Sequence, residues 1–147
     1  YLQEIRDLIT GDEKHEFISD RSNYGADKSW VSKTQNDEFQ YPVVYSLYKD
    51  LSIQFRYSKH QDSGHFGVPK IIFTPNLGLN HIIDTQGEYG LTQWVVGIVD
   101  EPENLEQITK IFSNHKFQEI LKSIKFGMYY NTKILKMFKK DFWTDFV

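Results

Sequence analysis

Two changes of rhythm along the 147 residues predict an α+β fold: a mainly antiparallel sheet with hairpins, followed by a C-terminal cluster of two to three helices. From Tyr41 to Tyr57 apolar and polar side chains alternate with a period of two, as in half-buried strands. After Asp100 the apolar residues recur at helical spacing instead. Aromatic residues make up 16% of the chain, enough to fill the core of one domain of this length, and no internal repeat divides it.

Each element has its own signal in the chain. Leu2, Ile5, Leu8 and Ile9 share one helical face, and Gly11 stops that helix. The chain starts at Tyr1 with this face already in phase, so residues 1–11 read as a helical lead-in from a preceding domain of a larger polypeptide. Residues 12–147 read as a single domain. The polar stretch to Gln40 is too long to be structureless, and short strands are expected near Glu16–Ser19 and Trp30–Ser32. Tyr41–Tyr48 and Leu51–Tyr57, joined by Lys49-Asp50, make a hairpin. In its second strand Arg56 is out of phase with Phe55 and Tyr57 and faces solvent or a ligand.

Further strands are expected at Pro69–Thr74, Ile82–Asp84 and Gln93–Val99, with Pro69 at a strand start because it cannot donate to a ladder. Trp94, opening the last of these, has a ring that can stack on a base, but at the head of an apolar strand it is assigned to the core. Asp100 and Pro102 then start a helix whose inner face is Leu105, Ile108, Ile111 and Phe112. A second helix from His115 turns Phe117, Ile120, Leu121 and Ile124 inward, and a third after Asn131-Thr132 turns in Ile134, Leu135 and Phe138.

Composition narrows the functional classes. Without cysteine there is no disulfide framework, no thiolate metal site and no thiol nucleophile, which fits a reducing, cytoplasmic setting. The apolar runs fall well short of the roughly 20 residues of a membrane span, so no membrane is expected as a partner. The net charge of -3 conceals an uneven distribution, because residues 110–140 carry eight lysines and a single acid, Glu119. Such a concentration fits a polyanion-binding face or, more simply, the solvated side of helices.

Catalytic chemistry finds little support. His15, His60, His65, His81 and His115 lack the close spacing of a zinc motif, and no metal is assigned. A metal-dependent nuclease strand would place an acid where Lys70 follows Val68 and Pro69. The loops Gly64-His65-Phe66-Gly67 and Gly87-Glu88-Tyr89-Gly90 lack the spacing and the following helix of a phosphate cradle. Binding chemistry is richer. Arg56-Tyr57-Ser58-Lys59-His60-Gln61-Asp62-Ser63 is a dense run of donors, in which arginine can fork onto guanine and Gln or Asn onto adenine. Lysine and histidine can hold phosphates, while Phe66 and Tyr89, between glycines that shape their loops, can stack on bases.

Tyr41-Pro42-Val43-Val44-Tyr45-Ser46, Arg56-Tyr57-Ser58, Gly64-His65-Phe66-Gly67-Val68-Pro69-Lys70-Ile71-Ile72-Phe73 and Gly87-Glu88-Tyr89-Gly90-Leu91-Thr92-Gln93 occur in that order. Phe117-Gln118-Glu119-Ile120-Leu121 and Phe138-Lys139-Lys140-Asp141-Phe142-Trp143 come after them. Across residues 22–146 this order resembles the C-terminal target-recognition region of adenine-specific DNA methyltransferases from restriction–modification systems, including fused restriction–methylation enzymes and relatives in large viruses. The resemblance implies a domain that binds double-stranded DNA and selects the methylation site. It also implies a catalytic domain earlier in the same parent chain, which binds S-adenosylmethionine and methylates adenine N6. The Asn-Pro-Pro-Tyr-type motif and the glycine-rich cofactor motif of that catalytic domain do not occur in these 147 residues. No catalytic residue and no cofactor is therefore assigned to them.

The expected DNA contacts, from side-chain chemistry and loop position, are Arg56, Lys59, His60, Gln61, His65, Phe66, Lys70, Asn76 and Tyr89. Two other readings compete. One is a metal-dependent nuclease lobe using Asp62, Asp84 or Glu88 with Lys70. The other is a protein–protein docking module whose lysines are merely solvated.

Overall fold

The structure, a computed structural model, describes residues 1–21, 23–48, 50, 52–74, 80–124 and 130–147, with the backbone alone at 130–133. The order of elements is α1 (Leu2–Leu8), β1 (Glu16–Ile18), β2 (Val31–Ser32), β3 (Tyr41–Leu47), β4 (Ile53–Ser58), β5 (Lys70–Phe73), β6 (His81–Asp84), β7 (Gly90–Leu91), β8 (Val96–Val99), α2 (Pro102–Phe112), α3 (His115–Ser123) and α4 (Tyr130–Met137). A 3-10 turn, Phe142–Phe146, closes the chain. The fold is mixed α+β with its helices concentrated at the C-terminus, and among the described residues no helix is long and apolar enough to cross a membrane.

The strands form two sheets rather than one. The first has the order β1-β8-β5-β6 and the second β2-β4-β3-β7. All pairings are antiparallel except β3 with β7, where Val43 meets Gly90 and Val44 meets Leu91 in parallel. The expected hairpin is present as β3 and β4, with a bulge between Val44 and Ser46 at Tyr45.

Strand alternation divides the core in two. Ile71 and Phe73 of β5 and Ile98 of β8 pack against Leu105, Ile108, Phe112, Phe117, Ile120, Ile134, Leu135 and Phe138 of the helices. Ile18 and Ile72, on the opposite face of the same sheet, pack against Val44, Leu47 and Leu91 of the second sheet. The layers are therefore helices, first sheet, second sheet. All four residues of β5 are buried, and each apolar side chain so buried contributes about 1.5–3 kcal/mol.

α1 belongs to the helical layer. Leu8 lies in its core, the Leu8 carbonyl accepts a hydrogen bond from the Lys139 amide at 2.6 Å, and Lys14 bridges to Lys139. A segment read as a lead-in from a preceding domain is thus packed against the last helices. The reason is apolar: Ile5 and Leu8 complete a face that α3 and the closing turn would otherwise leave open.

Trp94 departs from the expected core position, with 52% of its surface exposed. Thr92 explains the difference. Its hydroxyl donates to the Val44 carbonyl at 2.8 Å and accepts from the Trp94 amide at 3.4 Å. The strand expected to run unbroken from Gln93 is thereby turned at 93–94, and Trp94 is carried to the outside.

One buried polar pair fastens β1 to the start of α2. His15 Nε2 lies 2.8 Å from Asp100 Oδ2, and the Phe142 ring stands edge-on to the imidazole. Burial pushes the His15 pKa below its ordinary 6.5, and this outweighs the opposing pull of the Asp100 carboxylate. A histidine with a depressed folded pKa binds fewer protons when folded than when unfolded. Its contribution is complete above pH 6.5 and is lost as pH falls toward the folded value. Urea midpoints should therefore drop between pH 7.5 and 5.5, and His15→Gln should flatten that dependence.

Candidate functional site

The two glycine-bracketed loops meet over a buried ion pair. Lys70 opens β5 and Asp84 ends β6, and their register places them directly opposite each other. Lys70 Nζ lies 2.8 Å from Asp84 Oδ2, with the two side chains 0% and 2% exposed. The same ammonium donates to the carbonyls of Val68 at 3.1 Å and His65 at 3.3 Å, which uses its three protons. The carboxylate accepts from the Glu88 amide at 2.8 Å and the Tyr89 amide at 3.0 Å. One charge holds the first loop and the other holds the second. Burial pushes the Lys70 pKa down, and the Asp84 carboxylate opposes that shift.

Backbone contacts complete the junction. The Gly67 amide donates to the Gly87 carbonyl at 2.9 Å, and the Leu91 amide to the Gly64 carbonyl at 2.8 Å. Gly87 has φ +68, and a Cβ there would collide with the Gly67 backbone. His65 has φ +60, and it is the one non-glycine residue with positive φ among those described. That conformation costs about 1–2 kcal/mol for an L-residue, and the bond from Lys70 Nζ to its carbonyl helps to hold it.

Tyr24 fixes the first loop from the other side. It is 1% exposed, its hydroxyl donates to the Ser63 carbonyl at 3.1 Å, and its ring fills the space beside Gly64. Phe66 packs edge-on against Tyr24 and Tyr41 and occupies the place where Gly90 would carry a Cβ, next to Val43. The loop is thus laid on the outer face of the second sheet. Between residues 61–66 on one side and 19–21 with Asn23 on the other runs an open groove lined by Asp20, Arg21, Gln61, Asp62 and His65. A second hollow beside it involves Trp30 and His60.

The expected contact residues divide by environment. His60 and Gln61 are exposed, His65 is half-buried at the groove, and His60 stands 6.5 Å from the Trp30 ring. Arg56 lies on the outer face of the second sheet, with its guanidinium 4.7 Å from the Tyr45 ring centre. Lys59 pairs with Glu38 at 2.7 Å and lies over the Phe39 ring. Phe66 and Tyr89 support the loops: Phe66 as above, and Tyr89 by packing on Phe55 at 5.2 Å beside the inter-sheet core.

Lys70 is a correction. Expected at the surface, it is fully buried and fully bonded, so it holds the platform and cannot itself touch DNA. Asn76 lies outside the described residues. Tyr24 joins the loops although the sequence did not single it out.

The nuclease arrangement loses its central pair. Both oxygens of Asp84 are committed to Lys70 and to two backbone amides, away from solvent. Among the described residues no cluster of three or more His, Asp or Glu side chains is arranged to hold a metal ion. The described C-terminal lysines sit on the helical layer, across the first sheet from the loops, while Lys125 and the Lys133 side chain lie outside the described residues. Lys110, Lys116, Lys122, Lys136 and Lys140 are exposed there, and Lys139 pairs with Asp145 at 3.0 Å. Compared with protein-family models, curated proteins and solved structures, the chain finds no match.

Substitutions at the junction should separate charge from backbone effects. Lys70→Met should cost about 3–5 kcal/mol because it leaves a buried carboxylate uncompensated. Lys70→Met with Asp84→Asn should cost less than the two single changes added, as urea titration of all three variants can check. Gly87→Ala should cost more than about 2 kcal/mol, from the collision added to the backbone strain. Gly67→Ala, at φ +78 with open space around it, should cost about 1 kcal/mol.

Proposed function

We propose that this chain reads duplex DNA as the target-recognition module of an adenine-N6 methyltransferase. The S-adenosylmethionine site and the methyl-transfer chemistry would belong to another domain of the parent polypeptide. The observation that carries this reading is the loop junction: a buried ion pair, paired glycines and Tyr24 hold one short loop in a strained, fixed shape. Side chains on such a platform lose little further entropy when they bind, which suits base reading. Gln61 and His65 line its groove, with His60 beside them and Arg56 on the adjoining sheet face. The order of motifs supplies the DNA class, through its resemblance to the recognition regions of adenine-specific methyltransferases.

Asp20 and Asp62 outnumber Arg21 among the charged residues lining the groove. Phosphate attraction there is weaker than a lysine-lined channel would give. Discrimination then rests on hydrogen bonds to base edges, for which Gln61 and Arg56 carry the appropriate donors. Asp62 can accept from cytosine N4, adding a third reading group.

The test is fluorescence anisotropy with a pool of random-sequence duplexes, at two salt concentrations. Affinity should fall as salt rises, with the shallow slope of a site that neutralises few phosphates. Arg56→Ala together with His65→Ala should weaken binding about tenfold or more without unfolding the chain, as circular dichroism can verify. Unchanged affinity in the folded double variant would refute the loop assignment. Weak binding that ignores salt would favour a protein-docking role.

A further inference from the structure

Outside the lining of the loop groove, a second group of side chains shares the outer face of the second sheet, and Arg56, already proposed as a DNA contact, is one of them. Trp94 stands at the turn after β7, Tyr45 at the bulge of β3 and Arg56 in the middle of β4. The Tyr45 and Trp94 rings meet edge-on at 6.3 Å, and the Arg56 guanidinium lies over the Tyr45 ring, 4.7 Å from its centre. The row crosses three neighbouring strand positions.

Three features set this row apart from ordinary surface. Trp94 is half exposed at a turn tip that buried Thr92 holds from both sides, so its display is built into the fold. Arg56 Nε is shielded from solvent and has no hydrogen-bond partner among the described residues. Arg56 also forms no ion pair with a described acid, whereas neighbouring Lys59 is paired with Glu38. A cation without a counter-charge over one ring of a pair whose indole is half exposed suits a ligand that is both planar and anionic.

From this we infer that Trp94, Tyr45 and Arg56 form a stacking platform for an unpaired nucleobase, with Arg56 taking the adjacent phosphate. The assignment rests on the DNA-binding reading and extends it to single-stranded segments. A base inside a duplex has both faces covered by its neighbours, so only an unpaired base can offer a face to Trp94. A proline-rich peptide could also lie on the rings, but it would leave the arginine without an anion.

The experiment compares two probes: a single-stranded oligonucleotide of about twelve nucleotides, and a duplex closed by hairpins at both ends so that no terminal base is exposed. Trp94→Ala, a change at an exposed turn, should weaken single-strand binding about tenfold and leave closed-duplex binding within about twofold. Trp94→Phe should restore most of the loss, because it keeps an aromatic face. Single-strand affinity that is unchanged in Trp94→Ala would overturn the platform. So would equal losses on both probes, or a Trp94-dependent response to a proline-rich peptide with none to the oligonucleotide. If the closed duplex still binds through His65 while the single strand ignores Trp94, the platform alone fails. If neither probe binds the unaltered chain, the DNA reading fails with it.

Discussion

The contact between Lys70 and Asp84 is the constraint on which the two glycine-bracketed loops depend. Two charges at the ends of neighbouring strands would be costly to bury alone, and each is compensated by the other and by loop backbone. The ammonium gathers the carbonyls before β5, and the carboxylate gathers the amides after β6. Replacing the pair with apolar residues would leave those amides and carbonyls in the interior without partners, where each unmet group is expensive. The pair therefore specifies loop shape more than it supplies stability, and the loop shape fixes where Gln61 and His65 stand.

The layer order then separates tasks. The first sheet has apolar contacts on both faces, which explains why β5 is buried throughout. Helices cover one face, and Lys110, Lys116 and Lys122 are exposed on them. The second sheet covers the other face and keeps its own outer surface for the loop at one end and the Trp94 row at the other. Glycines make the approach possible at two points, where Phe66 lies over Gly90 and Tyr24 lies beside Gly64.

The alternation of Tyr41–Tyr57 and the helical spacing after Asp100 were enough to foresee the hairpin and the C-terminal helices, because each pattern reflects local geometry. Arg56 was legible on the same ground: its phase opposite Phe55 put it on the outer face. Lys70 was not, since a lysine in sequence carries the default expectation of solvent exposure. Its burial depends on Asp84, 14 residues away, arriving opposite it in register. Trp94 was hidden for a related reason. The apolar run to Val99 reads as one strand until the Thr92 hydroxyl reaches the Val44 carbonyl, a contact between distant segments.

By itself, then, the sequence determined the features that local stereochemistry dictates: the strand and helix periods, the glycine loops, the absence of thiol chemistry, and a donor-rich segment after β4. Tertiary structure decided the features that depend on long-range encounter. It split the strands into two sheets, drew α1 into the helical layer, buried Lys70 against Asp84 and turned Trp94 outward. The physical reason is that burial and ion pairing belong to pairs of groups, and a pair exists only once the chain has brought its members together.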